Sequence, residues 1–497
     1  MAERRRRSPS RTSAWLIVTV LVLLLSSPGS PSPDESQKSS TQLQEQLDRI
    51  FTDRRLRRVT MGLRVVSVAK GQVLYSYHAD EVLVPASNVK LATTAAALHY
   101  LGPDYRFLTQ VAATAPTSEQ GVLQGDLIVV GGGDPNIGGR FFDGDATALF
   151  TEWAQRLRRR GLLVVTGDLV GDDRFFDRQY RHPTWPKGQE AFWYQAPVGA
   201  LSLNDNCVDF VLSPASPGKP AQLRLNPPTD YLRFKNECVT RSGRGAPQPL
   251  FQRALGSRLV LIQGSIPKRV DAVTSYVTVD NPGEYFLAVL AQVLRQQGIQ
   301  LRGRVRLVEP GEPLPPLTTL IEHRSSLLAS IEVANKRSQN FYAEQILKTL
   351  GREVLGEGSF KRGVEAVTAF LEEQGLDLGG SRLVDGSGLS PENRLSARLT
   401  TDLLVAMART PMAQGYMTSL AQAGVDGSMR NRLREPEFRG KVFAKTGTLA
   451  RVRALSGYVR SRRGELLAYS FLMNGSAAGS WPARTAQDEA LRVLVLY

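Results

Sequence analysis

The chain reads as an α/β protein: a sheet assembled from both ends of the sequence and covered by helices, interrupted by a large β-rich insertion of one or two domains. Three observations carry this. "MGLRVVSVAKGQVLYSYHAD" (61–80) holds two apolar, β-branched runs around Ala69-Lys70-Gly71, the pattern of a hairpin. "RGKVFAKTGTLARVRALSGYVRSRRGELLAYSFLMNG" (439–475) holds three more strand-like runs, the last two joined across Arg462-Arg463-Gly464. Between about Tyr105 and Gly303, short strands such as "CVDFVLSP" and "AQLRLNPP" alternate with Pro/Gly turns.

At 497 residues the chain exceeds one ordinary core, and 42% hydrophobic with 22% charged residues is a globular composition. Residues 1–40 are read as a leader plus linker, 41–105 and 304–497 as the halves of one split domain, and 106–303 as the insertion. "QLQEQLDRIF" (42–51) spaces Leu, Ile and Phe for a helix that packs on the core. "VPASNVKLATTAAALHYLG" (84–102) opens an Ala-rich helix. In the insertion, few long helical patterns appear apart from "ATALFTEWAQRLRRRG". The cluster Gly131-Gly132-Gly133-Asp134-Pro135 lacks the Lys-Ser/Thr of a phosphate loop and reads as a tight turn. Helical spacing returns in "SLLASIEVANKRSQNFYAEQILKTLG", "SFKRGVEAVTAFLEEQGL" and "RTAQDEALRVLVLY".

Arg4–Arg7 and Arg11 precede twelve uncharged, mostly apolar residues, 14–25, and then "SSPGSPSPDES". That order is the layout of a secretory leader, and twelve residues fall short of the roughly 20 of a membrane span. With no A-x-A cleavage site, a cleaved signal peptide and an uncleaved anchor that associates residues 14–25 with the membrane both stay open. Either one exports the protein to the periplasm or cell envelope. The net charge is +15; five Arg and one Glu in residues 1–12 supply +4, and the other +11 is dispersed. Without a compact basic stripe interleaved with aromatics, nucleic acid is not an expected partner, whereas an anionic membrane face or an anionic polymer such as cell wall fits. Cys207 and Cys238 are the only cysteines and the four His lack H-E-x-x-H spacing, so neither a metal nor a cofactor is expected. The two thiols either pair in an oxidising compartment or stay separate and buried.

Ser87 and Lys90 stand three apart at the start of the Ala-rich helix. A serine hydroxyl needs a base beside it, and a lysine serves once burial or a second cation lowers its pKa. At a helix start Ser87 doubles as an N-cap, and the positive helix end favours negative charge developing on oxygen. The spacing also occurs at Ser67/Lys70, Ser216/Lys219 and Ser265/Lys268. Ser67 lies in a strand, where i and i+3 point to opposite faces, so it should not meet Lys70. The other two pairs lie in Pro-bearing stretches that cannot be helix interior. A lysine base needs a relay to the leaving group, and "RSQN" offers Ser338 and Asn340 at a break before a helix. A weaker candidate is Ser202-Leu203-Asn204. "AKTGTL" holds Lys445, Thr446 and Gly447; on a strand Lys445 and Gly447 share a face, and the glycine lets a substrate backbone approach.

In this chain order, Ser-x-x-Lys, Ser-x-Asn and Lys-Thr-Gly match the set of penicillin-binding proteins and β-lactamases. With "VGGGDP", "APVGALSLNDN", "VDGSGLSPENRLS" and "DGSMRNR", the chain from about residue 42 to its end resembles the D-alanyl-D-alanine carboxypeptidase/endopeptidases of the three-domain, class C low-molecular-mass penicillin-binding proteins. The resemblance implies the penicillin-binding/β-lactamase-like transpeptidase fold and a serine hydrolase acting on peptidoglycan stem peptides and trapped by β-lactams. Ser87 would be acylated by the penultimate D-Ala, with Lys90 as general base and Ser338 as proton shuttle. Asn340 would hold the substrate amide and Lys445, helped by Thr446, the terminal carboxylate. The N–H groups of Ser87 and Thr448 would form the oxyanion hole. Gln339 stands where many relatives have Asp, and Ser428 where Thr is expected. A β-lactamase, which deacylates rapidly, and a non-catalytic envelope scaffold are the competing readings.

Overall fold

The near-continuous apolar runs of the carboxy-terminal strands are those of a sheet buried on both faces. The computed structural model of the chain describes residues 33–475 and 481–497. In it strands 421–422, 442–449, 452–460, 466–474, 60–67 and 73–77 lie side by side in that order, antiparallel throughout. Leu467, Tyr469, Phe471 and Met473 point to one face, where helices Pro33–Phe51 and Trp481–Leu496 supply Leu47, Phe51, Leu491 and Leu494. Tyr458 and Ala468 point to the other, into the main helical core. There, helix Val89–Tyr100 is buried nearly all round, which only small side chains permit between close neighbours; Ala95, Ala96 and Ala97 are each 0% exposed. Helices Leu327–Lys336, Asn340–Leu355, Phe360–Glu373 and Ala397–Met407 complete this layer.

In the insertion, a five-stranded sheet runs in the order 305–307, 169–172, 127–130, 106–113, 318–326. Three smaller sheets and helices Ala148–Arg159 and Pro282–Gln296 join it around one apolar cluster that includes Trp153, Phe210, Ile262 and Tyr285. Three expectations are corrected. Strands 305–307 and 318–326, assigned to the split domain, pair with 169–172 and 106–113, so the chain re-enters the catalytic part at Leu327 and not at residue 304. Residues 33–40, expected as linker, belong to the first helix. The second long insertion helix was legible but unread: Asn281 accepts from the Glu284 N–H at 3.1 Å, and Pro282 occupies the first turn.

Cys207 and Cys238 are two separate, buried thiols. Residues 14–25 lie outside the described residues. Among the described residues no helix is long and apolar enough to cross a membrane.

Candidate active site

Ser87 sits in a 3-10 turn, Ala86–Asn88, that leads into helix Val89–Tyr100. The N-cap position of that helix falls on Asn88 and carries no side-chain capping bond. The expectation that Ser87 is itself the cap is therefore corrected: the tighter turn moves the serine out of capping position and leaves its hydroxyl to Lys90. Ala86 holds the turn with φ +46°, a conformation that costs a non-glycine residue about 1–2 kcal/mol. Two glycines let neighbours press on the turn. A Cβ on Gly447 would stand 2.8 Å from Pro85 O and 3.2 Å from Ala86 Cβ, and one on Gly388 would stand 1.8 Å from Ala86 O. Gly447 thus admits the backbone of Pro85 and the side chain of Ala86, just ahead of the serine.

Lys90 is 0% exposed, and its ammonium donates to Ser87 Oγ at 3.1 Å, Asn340 Oδ1 at 2.7 Å and Ser387 O at 2.6 Å. Burial lowers its pKa to about 7, against the opposing pull of Glu344 and Asp385. Spacing puts Glu344 one helical turn beyond Asn340, and it is buried too. Its carboxylate accepts the Gly386 and Ser387 N–H groups at 3.0 and 2.8 Å, fixing the carbonyl that holds Lys90. Burial first, and Asp385 second, raise the Glu344 pKa to about 8. Asp385 ties the same loop from inside, accepting from Gly388 N and Ser390 N at 2.7 Å each and from Trp185 Nε1 at 3.0 Å. Sequence reading missed Glu344 and Asp385; the Gly-rich "VDGSGLS" was the available signal.

Across the cleft Lys445, also 0% exposed, donates to Ser338 Oγ at 2.7 Å and Thr446 O at 2.8 Å. Burial, and then the nearby Lys90, hold its pKa well below the usual lysine range. Ser338 takes φ +58° in the break between two helices, and Thr446 donates its hydroxyl proton to Ser428 at 2.8 Å. Asn340 is engaged at both ends of its amide, by Lys90 and, through Nδ2, by Tyr194 O at 2.9 Å. Thr448 is exposed, opposite Arg453. Strand 421–422 pairs only with Phe443 and Ala444, so from Lys445 to Leu449 the outer edge has no strand partner among the described residues.

The structure therefore joins Ser87, Lys90 and Asn340 in one cluster and Ser338, Lys445 and Thr446 in another. Ser202 is left out: its hydroxyl donates to Gly199 O at 2.8 Å and is buried. Ser67 and Lys70, expected to stay apart, share the Glu465 carboxylate, because a turn and not a continuing strand carries Lys70. Among the described residues no group of His, Cys, Asp or Glu could hold a metal ion.

Residues 43–494 match the D-Ala-D-Ala carboxypeptidase 3 (S13) family. The chain is 34% identical to a D-alanyl-D-alanine carboxypeptidase of Actinomadura sp. (strain R39), over 98% of this chain and 90% of the relative. It is 26% identical to the D-alanyl-D-alanine carboxypeptidase DacB of Haemophilus influenzae, over 86% and 87%. The fold matches the crystal structure of penicillin binding protein 4 (dacB) from Haemophilus influenzae with a TM-score of 0.77 at 24% identity, covering 91% of this chain and 99% of that one. A complex of that protein with a β-lactam matches with a TM-score of 0.71 at 23% identity, over 89% and 97%. The extent of these matches and the serine-lysine cleft together identify the chain as a member of the D-Ala-D-Ala carboxypeptidase (S13) family, a serine peptidase.

Proposed function

We propose that Ser87 is the nucleophile of a D-Ala-D-Ala carboxypeptidase acting on peptidoglycan stem peptides. The observation that carries this is the 3.1 Å contact between Ser87 Oγ and a buried Lys90 whose pKa lies near 7, a base that is substantially neutral at physiological pH. The stem peptide adds along the edge of residues 445–449, which has no strand partner among the described residues and offers backbone hydrogen bonds to an extended chain. Its terminal carboxylate meets Lys445 and Thr446. The carbonyl of the penultimate D-Ala then lies at the Ser87 and Thr448 N–H groups, which stabilise the developing oxyanion. Lys90 takes the Ser87 proton, Ser338 returns it to the leaving amine, and water hydrolyses the ester. Asn340 positions Lys90 and, by exchanging its bond to Tyr194 O, takes the substrate amide. β-Lactams acylate the same serine, and the enzyme works in the cell envelope, exported by its amino-terminal segment.

The test pairs fluorescent-penicillin labelling with D-Ala release from a pentapeptide. Wild type labels stoichiometrically and releases D-Ala, and Ser87→Ala does neither; equal labelling of the two proteins refutes the assignment. An acyl-enzyme that persists for many minutes separates this reading from a β-lactamase.

A further inference from the structure

Asn88 directly follows the proposed nucleophile and is 0% exposed, yet no step of the reaction above uses it. As the last residue of the 3-10 turn it occupies the N-cap position of helix Val89–Tyr100, but its side chain bonds the sheet and not the helix end. Its Nδ2 donates to Ser456 Oγ at 2.7 Å, and the Ser456 hydroxyl donates in turn to Ser470 Oγ at 2.8 Å. Both serines are 0% exposed. Among the described residues this is the one side-chain hydrogen bond from the turn Ala86–Asn88 to the sheet. The contacts at Gly447 and Gly388 only limit how closely Pro85 and Ala86 approach, whereas the amide supplies an attraction.

Strand register gives that bond its consequence. Directly paired residues of antiparallel strands stand on one face, and Lys445 pairs with Ser456, Ser456 with Ser470, and Ser470 with Arg64. They form a polar row across the sheet, between Ala454 and Leu472 on one side and Tyr458 and Ala468 on the other. Arg64 ends the row at helix Ala397–Met407, donating to Thr401 Oγ1 at 2.9 Å and Asp402 Oδ1 at 2.5 Å. Lys445 ends it at the cleft. Asn88 therefore fastens the Ser87 turn to the residue next to Lys445 in the row. Stability does not account for this side chain: Asn88 Oδ1 is buried with no hydrogen-bond partner among the described residues. An unpaired buried acceptor is destabilising, and an apolar side chain of the same size avoids that cost.

We infer that Asn88 is a positioning residue for the nucleophile: through Ser456 it sets the span between the acylated oxygen of Ser87 and the carboxylate anchor at Lys445. The inference rests on the acyl-serine reading above. A substrate anchored at Lys445 presents its carbonyl at a fixed distance along the strand, so a turn that drifts from the row leaves the serine short of that carbonyl. Binding at Lys445 and Thr446 is unaffected by such drift, and so is Lys90, which keeps its bonds to Asn340 and Ser387.

Stopped-flow acylation by a chromogenic β-lactam over a range of concentrations tests this, because it separates affinity for the intact β-lactam from the acylation rate constant. Asn88→Leu keeps the volume and removes the bond. It is expected to lower the rate constant about 10- to 100-fold, the cost of a displaced reacting group, with affinity within about twofold of wild type. The ascending limb of rate against pH should stay in place, and the urea midpoint should not fall. Ser456→Ala breaks the same bond from the sheet side and gives the reading if Asn88→Leu does not fold. The double variant should be no slower than the slower single one, because both act through one bond. An unchanged rate constant overturns the positioning role. So does a loss of affinity or of urea midpoint for Asn88→Leu that parallels the loss of rate, a shifted limb, or losses that multiply in the double variant. Failure of wild type to label with penicillin or to release D-Ala overturns the acyl-serine reading itself, and this inference with it.

Discussion

Glu344→Gln is the most informative perturbation of the site, because Glu344 touches neither Ser87 nor the proposed substrate path. Its two oxygens accept the Gly386 and Ser387 N–H groups at 3.0 and 2.8 Å, in a 0% exposed position. Glutamine keeps the shape but offers one acceptor, so one buried N–H is left facing an amide donor. An orphaned buried N–H costs about 1–3 kcal/mol. The strain falls on the loop whose Ser387 carbonyl holds Lys90 at 2.6 Å, and misplacing a reacting group by a fraction of an ångström to 1 Å costs about 10- to 100-fold in rate. The pH profile moves independently of the plateau. Where Glu344 is ionised it opposes the lowering of Lys90, and the two buried groups titrate together, so removing the carboxyl moves the base downward from about 7. Acylation requires the neutral amine, so the ascending limb of rate against pH shifts to lower pH while its plateau drops. Stopped-flow acylation by a chromogenic β-lactam across pH 5–9, with urea denaturation alongside, reads both. A variant with unchanged stability, plateau and limb, or a limb that moves to higher pH, refutes the positioning role.

Other outcomes follow from the same geometry. Lys90→Ala should slow acylation about 10²- to 10⁴-fold, the usual worth of a base at the reacting centre, and more than Lys445→Ala does; equal losses would show the base assignment to be incomplete. Gly447→Ala forces a methyl group to 2.8 Å from Pro85 O and displaces the serine turn, so acylation should fall about 100-fold while unfolding changes by about 1–3 kcal/mol. A stability loss with full acylation would contradict that reading. Ser428→Ala removes the acceptor of the Thr446 hydroxyl, leaving Thr446 free to rotate; KM for a D-Ala-terminated peptide should rise several-fold with little change in kcat, checked by steady-state D-Ala release.

Residue type and order alone determined much of this protein. The hairpin at 61–77, the three terminal strands and the grouping of Ser87 with Lys90 and of Lys445 with Thr446 rest on local periodicity and short spacings, which act within a few residues; Ser338 and Asn340, two apart in sequence, turn instead to Lys445 and Lys90 respectively. Tertiary structure decided what depends on contacts distant in sequence. Glu344 carries no local mark and Asp385 only its place in a Gly-rich loop, because their role is to hold that loop against a lysine some 250 residues and more away; likewise the bond from Lys90 to Asn340 spans 250 positions. Residues 305–326 look like the start of the second catalytic half, yet strand pairing with 106–113 and 169–172 assigns them to the insertion. Ser87 left its expected capping position because the close approach of Gly447 and Gly388 shapes a 3-10 turn there, a steric demand set by the neighbouring strand and loop. The motif sets a serine and a lysine three apart; the packing around them determines that Lys90 is buried.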